Sequence, residues 1–147
     1  MTQYTEAVDG VVTPEMQFVA RHESVDPERI RDEVASGRLV IPANRIHLDP
    51  SGAESEGVLE PRGIGRAVST KINANIGVSS DKSCEEEELI KLRWAVRYGA
   101  DAVMDLSTGG DTDSIRAFLI SRATVPFGTV PIYAATAARE IVGYNPG

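Results

Sequence analysis

From residue 67 to the end the chain switches back and forth between two hydrophobic periods. AVSTKINANIG alternates every second residue, as a strand does, and SCEEEELIKLRWAVRYGA repeats at helical spacing. DAVMDLSTGG and TVPIY repeat the strand signal, while DTDSIRAFLISRA and AATAAREIV repeat the helix signal. Strand, helix, strand, helix, strand, helix predicts an α/β fold with a parallel sheet and crossover helices, because parallel strands cannot be joined by a tight turn. Ser83 is the expected N-cap of the first of these helices, and Glu85 to Glu88 suit its positive end. Leu89, Leu92, Trp94, Ala95 and Val96 supply its apolar stripe, and Gly99 ends it. Ile115, Phe118 and Leu119 give the second helix its buried face.

The repeat has a length. Asn75, near the end of the first strand, is followed 29 residues later by Met104 in the second and 29 after that by Tyr133, expected at the end of the third. One βα unit takes roughly 30 residues, so the three positions occupy matching places at successive strand ends. Binding residues of (β/α)8 barrels come from the C-terminal ends of strands. Three units are too few to close such a barrel, so the reading is a partial (β/α)8 TIM barrel spanning 67–147. KINANIG fits this picture in one of two ways. Asn73 and Asn75 share a face and are poor strand formers. They mark either an edge strand with a wet face or a strand whose polar face looks into a binding site. Ile72, Ala74 and Ile76 are then expected to turn towards a helix layer containing Leu92 and Val96.

Residues 1–66 read as an irregular, α-rich region. TPEMQFVARHE predicts a helix capped by Thr13 with Pro14 in its first turn. DPERIRDEVASGR predicts another, with Asp26 as cap, Pro27 following, an Arg29–Glu33 pair and Gly37 at its end. RLVIPAN is a short apolar run stopped by Pro42, and DPSGAESEGVLE is an acidic loop. The 22 acidic and 15 basic residues give a net charge of -7, which argues against nucleic-acid or anionic-membrane partners. No apolar run reaches the length of a membrane span, and the first residues lack signal-peptide character, so a cytoplasmic location is expected. The single Cys84 cannot form an intrachain disulfide or supply the ligands of an iron–sulfur cluster alone.

Several residues invite a chemical reading beside a plain one. Asp105 suits either acid–base work or the binding of backbone amides, and the second is expected. STGG at 107–110 suits a phosphate cradle or a plain βα turn, with the turn expected. Lys71 suits a phosphate or an internal salt bridge. EEEE at 85–88 is expected to be a solvated helix start, Cys84 an inert surface thiol, and Trp94 a core or interface aromatic.

KINANIG, EEEELIKLRWAVRYGADAVMDLSTGG and VPFGTVPIYAA, preceded in order by VTPEMQFVA, IRDEVASGRLVIPAN and IGRAVSTKINANIG, closely resemble the phosphomethylpyrimidine synthase (ThiC) family of thiamine biosynthesis. The likeness runs from residue 11 to about 135. It implies a (β/α)8 barrel behind an N-terminal region. It also implies radical S-adenosylmethionine chemistry on a 4Fe-4S cluster, and zinc, with aminoimidazole ribotide as substrate. Asn75, Met104 and Tyr133 are the substrate-contacting positions it implies. The family's C-x-x-C-x-x-x-x-C cluster motif and its metal-binding histidines are not among these 147 residues, and His22 and His47 do not match them. The chain therefore reads as an N-terminal segment, inactive alone, that holds no cofactor by itself and that a complementing chain or a homodimer would complete. The blocks also fit a non-catalytic relative or a benzimidazole-forming synthase of cobamide biosynthesis.

Overall fold

The structure, a computed structural model, describes residues 2–49, 58–79, 84–109 and 111–133. Ser83, Gly110, most of the acidic loop and the expected third helix lie outside the described residues.

Two apolar clusters organise the described residues. The first joins α1 (Gln3–Val8), α2 (Pro14–Glu23), α3 (Pro27–Ala35) and β1 (Leu39–Val40) around Met16, Val19, Ile30, Val34 and Leu39. Thr13 caps α2 as expected, its hydroxyl accepting from Met16 N at 3.2 Å and donating to Gln3 Oε1 at 2.6 Å. Asp26 caps α3, and Gly37 takes the left-handed turn that ends it, with φ +72°. Glu33 is held by Arg38 at 2.8 Å rather than paired with Arg29 as the sequence suggested. Beyond α4 (Arg45–Leu48), β1 pairs antiparallel with β2 (Ile64–Gly65).

The second cluster lies under a parallel sheet. β3 (Asn73–Ile76), β4 (Ala102–Asp105) and β5 (Phe127–Thr129) stand in the order β3-β4-β5, joined by α5 (Glu85–Arg97) and α6 (Thr112–Ile120). Ile76, Leu92, Val103, Ile115, Leu119 and Val125 form its buried centre. The expected strand–helix alternation is present, and among the described residues the sheet is open rather than closed into a barrel. No helix of the described residues is long and apolar enough to cross a membrane.

Three expectations need correcting. The third strand is Phe127–Thr129, not TVPIY: Pro131 offers no N–H to continue a ladder, and residues 131–133 are helical. Tyr133 therefore follows the strand instead of ending it. Ile72 precedes β3 and is 61% exposed, so only Ala74 and Ile76 meet the helix layer. Of the two readings of Trp94 only the core one fails: the residue is 48% exposed, because 94 and 92 face different sides of α5.

Candidate functional site

The pleat of β3 sends Ala74 and Ile76 into the helix layer and Asn73 and Asn75 to the opposite face. Asn73 Nδ2 donates to Asn75 Oδ1 at 2.8 Å, which aligns the two amides along the strand. Asn75 stands in register with Met104, and Met104 in register with Gly128. Asn75 and Met104 thus lie side by side near the carboxyl ends of neighbouring parallel strands, on the face turned away from the helices. Tyr133 is not in that row. It sits in the helical turn after β5, its N–H donating to Val130 O at 3.1 Å, with its side chain part-exposed.

Asn73, Met104 and Gly128 line a cavity of about 850 Å³, closed on another side by Asn44, His47 and Leu59 of the N-terminal region. Asn75 and Tyr133 are not among its lining residues. The sequence reading missed the contribution of Asn44 and His47, whose approach to the sheet is tertiary and leaves no local signal. Glu60 N bonds Thr124 O at 2.9 Å, and Arg62 reaches Glu60 at 2.8 Å and Asp101 at 3.6 Å, which ties this N-terminal segment to the turns below the strands.

Behind the strand ends, buried polar groups fix the backbone. Asp105 is 1% exposed and accepts from Arg116 Nε of α6 at 2.6 Å. It also accepts from Ser107 N at 3.0 Å and from the Ser107 hydroxyl. The Ser107 oxygen in turn accepts from Val78 N at 3.0 Å. Asp105 is thus committed to backbone and cation, as expected, and Ser107 is not free to cradle a phosphate. The start of α6 is itself occupied by a carboxylate: Asp111 accepts from Ser114 N at 3.2 Å, and hydrogen bonding with the Ser114 side chain, then with that backbone N–H, holds its pKa below the ordinary value. Glu88 corrects the reading of EEEE as wholly solvated. It is 2% exposed and accepts from Gly77 N at 2.9 Å and from Lys91 Nζ at 2.5 Å. Gly77 explains itself through closeness: a Cβ there would lie 2.7 Å from Ser107 N.

Lys71 forms the internal salt bridge, 2.7 Å from Glu23, with both side chains nearly buried. Burial raises the Glu23 pKa, and the bonds from Lys71 and Ser69 outweigh it, leaving the carboxyl below its ordinary value. Cys84 Sγ lies 2.9 Å from Glu86 Oε2. Among the described residues no group of three or more His, Cys, Asp or Glu is placed to hold a metal ion. A lone thiol beside a carboxylate does not fit a 4Fe-4S cluster.

The profile of the radical SAM ThiC family matches residues 2–144. A phosphomethylpyrimidine synthase of Carboxydothermus hydrogenoformans is 47% identical over 137 residues, which cover 93% of this chain and 30% of that relative. The chain thus spans under a third of the length of that curated relative. With the family profile running over nearly every residue that carries the parallel sheet and its N-terminal helices, the chain belongs to the radical SAM ThiC family.

Proposed function

We propose that this chain forms the N-terminal region (1–66) and the first three strand–helix units (67–147) of a (β/α)8-barrel phosphomethylpyrimidine synthase of thiamine biosynthesis. Its part in the reaction is to build one wall of the pocket for aminoimidazole ribotide. The observation that carries this is the row of Asn75 and Met104 near the carboxyl ends of parallel strands, on the face opposite the helices. The Asn75 amide offers donors and an acceptor to a ribotide hydroxyl. Met104 gives a soft apolar surface for a ring, and Tyr133, beyond β5, an aromatic edge with a polar tip.

The complete enzyme of this family implies S-adenosylmethionine, a 4Fe-4S cluster and zinc. The donors in this chain do not fit the cluster, so its residues are assigned binding and orientation only. The 47% identity to a phosphomethylpyrimidine synthase favours the pyrimidine product over a benzimidazole one.

A chimera tests this reading. Residues 2–144 replace the matching segment of the Carboxydothermus hydrogenoformans relative, and turnover of the ribotide is measured. The chimera is expected to form the pyrimidine phosphate. Asn75→Ala is expected to cost about 1–3 kcal/mol, roughly 5- to 150-fold in kcat/KM, with unchanged melting. A folded chimera that forms no product, or an Asn75→Ala variant with full activity, would overturn the assignment.

A further inference from the structure

Past Asn75 the strand β3 runs out, and two of its next main-chain N–H groups are taken by side chains instead of by another strand. Gly77 N donates to Glu88 Oε2 of α5 at 2.9 Å, and Val78 N donates to Ser107 Oγ of the β4 exit at 3.0 Å. The two bonds leave the chain on opposite sides. Leu106 N donates to Ile76 O at 2.8 Å and Thr108 N to Val78 O at 3.0 Å, so residues 76 and 78 turn their main chain towards the β4 side. Gly77 between them turns its N–H to the other edge, and Glu88 closes that edge.

Glu88 is 2% exposed, while Glu86 and Glu87 beside it in the chain are exposed. Burying a carboxylate is costly unless its oxygens are bonded. Both are bonded here, Oε2 by Gly77 N and Oε1 by Lys91 Nζ at 2.5 Å. Leu92, one turn further along α5, is locked in the second apolar cluster, so the carboxylate stands on a rigid element. Packing alone would be served by an apolar residue at position 88. A carboxylate there serves what it bonds, and that is the main chain two residues beyond Asn75.

We propose that Glu88 is a positioning residue for the ribotide pocket: by holding the Gly77 N–H it fixes the end of β3, and with it the direction in which the Asn75 amide leaves the strand. This rests on the reading of Asn75 as a ribotide-binding residue. Glu88 touches no substrate and acts only through the backbone. Without its bond the chain is free to pivot at Gly77, which has no Cβ to restrict it. A hydrogen bond to a charged acceptor is shorter and stronger than a neutral one, which suits a clamp at such a pivot. A displacement of about 1 Å at a binding group is enough to weaken a site many-fold.

The affinity of the chain for aminoimidazole ribotide is read by titration of the Met104 methyl resonance in the unmodified chain and in a set of variants. Glu88→Met keeps the length of the side chain and removes its acceptors, and is expected to weaken binding about fivefold. Glu88→Gln keeps an oxygen for the Gly77 N–H and is expected to stay within about twofold of the unmodified chain. Added to Asn75→Ala, Glu88→Met is expected to change affinity by less than about twofold, because the residue it positions is gone. Equal losses in both backgrounds, or Glu88→Gln as weak as Glu88→Met, would overturn the proposal and leave Glu88 a purely structural role. An unmodified chain that binds no ribotide would overturn the ribotide reading and this inference with it, whereas additive losses in a chain that binds overturn this inference alone. Amide exchange in the unmodified chain decides the matter even if Glu88→Met fails to fold. If the clamp strengthens ribotide binding, bound ribotide strengthens the clamp by the same factor. Exchange at Gly77 N is therefore expected to slow about fivefold at saturating ribotide, with Gly99 N, at the far end of α5, unchanged. A Gly77 exchange rate indifferent to bound ribotide would overturn the proposal.

Discussion

Gly128 of β5 stands in register with Met104 of β4, and a Cβ at position 128 would lie 3.3 Å from the Met104 methyl carbon. The thioether therefore lies across the neighbouring strand, held over a position with no side chain. Gly128→Ala is expected to cost less than about 1 kcal/mol, because the end of a Met side chain can swing aside. It should still move the Met104 methyl resonance while leaving that of Met16 in place. A loss of several kcal/mol in urea unfolding would show that the methyl has nowhere to go.

Gly77 is the stricter glycine. Its φ is +150°, and an added Cβ would meet two backbone atoms of the β4 exit, Ser107 N at 2.7 Å and Leu106 C at 2.8 Å. Backbone cannot yield as a side chain tip can. Gly77→Ala is expected to destabilise the chain by about 3 kcal/mol and to speed amide exchange at Val78, whose N–H depends on Ser107. Unchanged stability would mean that the two strand ends are not locked together.

The Asp105–Arg116 pair makes a prediction about sign. Arg116→Met strands a buried carboxylate and should cost about 3 kcal/mol. Adding Asp105→Asn to Arg116→Met should recover part of that loss, because a neutral amide needs no cation. Denaturant midpoints of the single and double variants check this, and a double variant weaker than Arg116→Met would contradict it.

Much of this fold is legible in the sequence because two periods, 2.0 and 3.6, alternate without ambiguity between residues 73 and 120. The caps at Thr13 and Asp26 were equally local. The place of β5 is harder to read, although its signal is present. VPFGTVPIY offers two apolar alternations, and Pro131 forbids the later one. Equal 29-residue spacing then drew Tyr133 into a row that Gly128 occupies. Glu88 hid among four identical residues, and only helix phase reveals it: it lies one turn from buried Leu92. The capping box of α1, built from Thr2 and Thr5, is a local signal too, one hydroxyl three residues from another. Glu23 and Lys71 meet across 48 residues, and no local pattern foretells such a partnership.

That buried pair gives a pH dependence. In the folded chain the Glu23 carboxyl titrates below its ordinary 4.5. Its stabilising contribution is therefore complete above about pH 4.5 and is lost as pH falls through the lower, folded-state value. Glu23→Gln is expected to cost about 2–3 kcal/mol at neutral pH, since Lys71 keeps its bonds to Ser69 but loses its counter-charge. The deficit should shrink as the pH falls below the ordinary 4.5 and through the lower, folded-state value. A deficit independent of pH would assign the loss to packing instead.

The claim that the Asn75–Met104 face receives the ribotide is tested most directly at the Met104 methyl group. The chain has three methionines, and Met16 is fully buried in the other apolar cluster, so it serves as an internal reference. With carbon-13 methyl labels, titration with aminoimidazole ribotide is predicted to shift the Met104 signal saturably and leave Met16 unmoved, and Asn75→Ala should weaken the binding roughly tenfold or more. A Met104 signal that stays fixed at high ribotide, or an Asn75→Ala titration that overlays the unmodified one, would contradict the account.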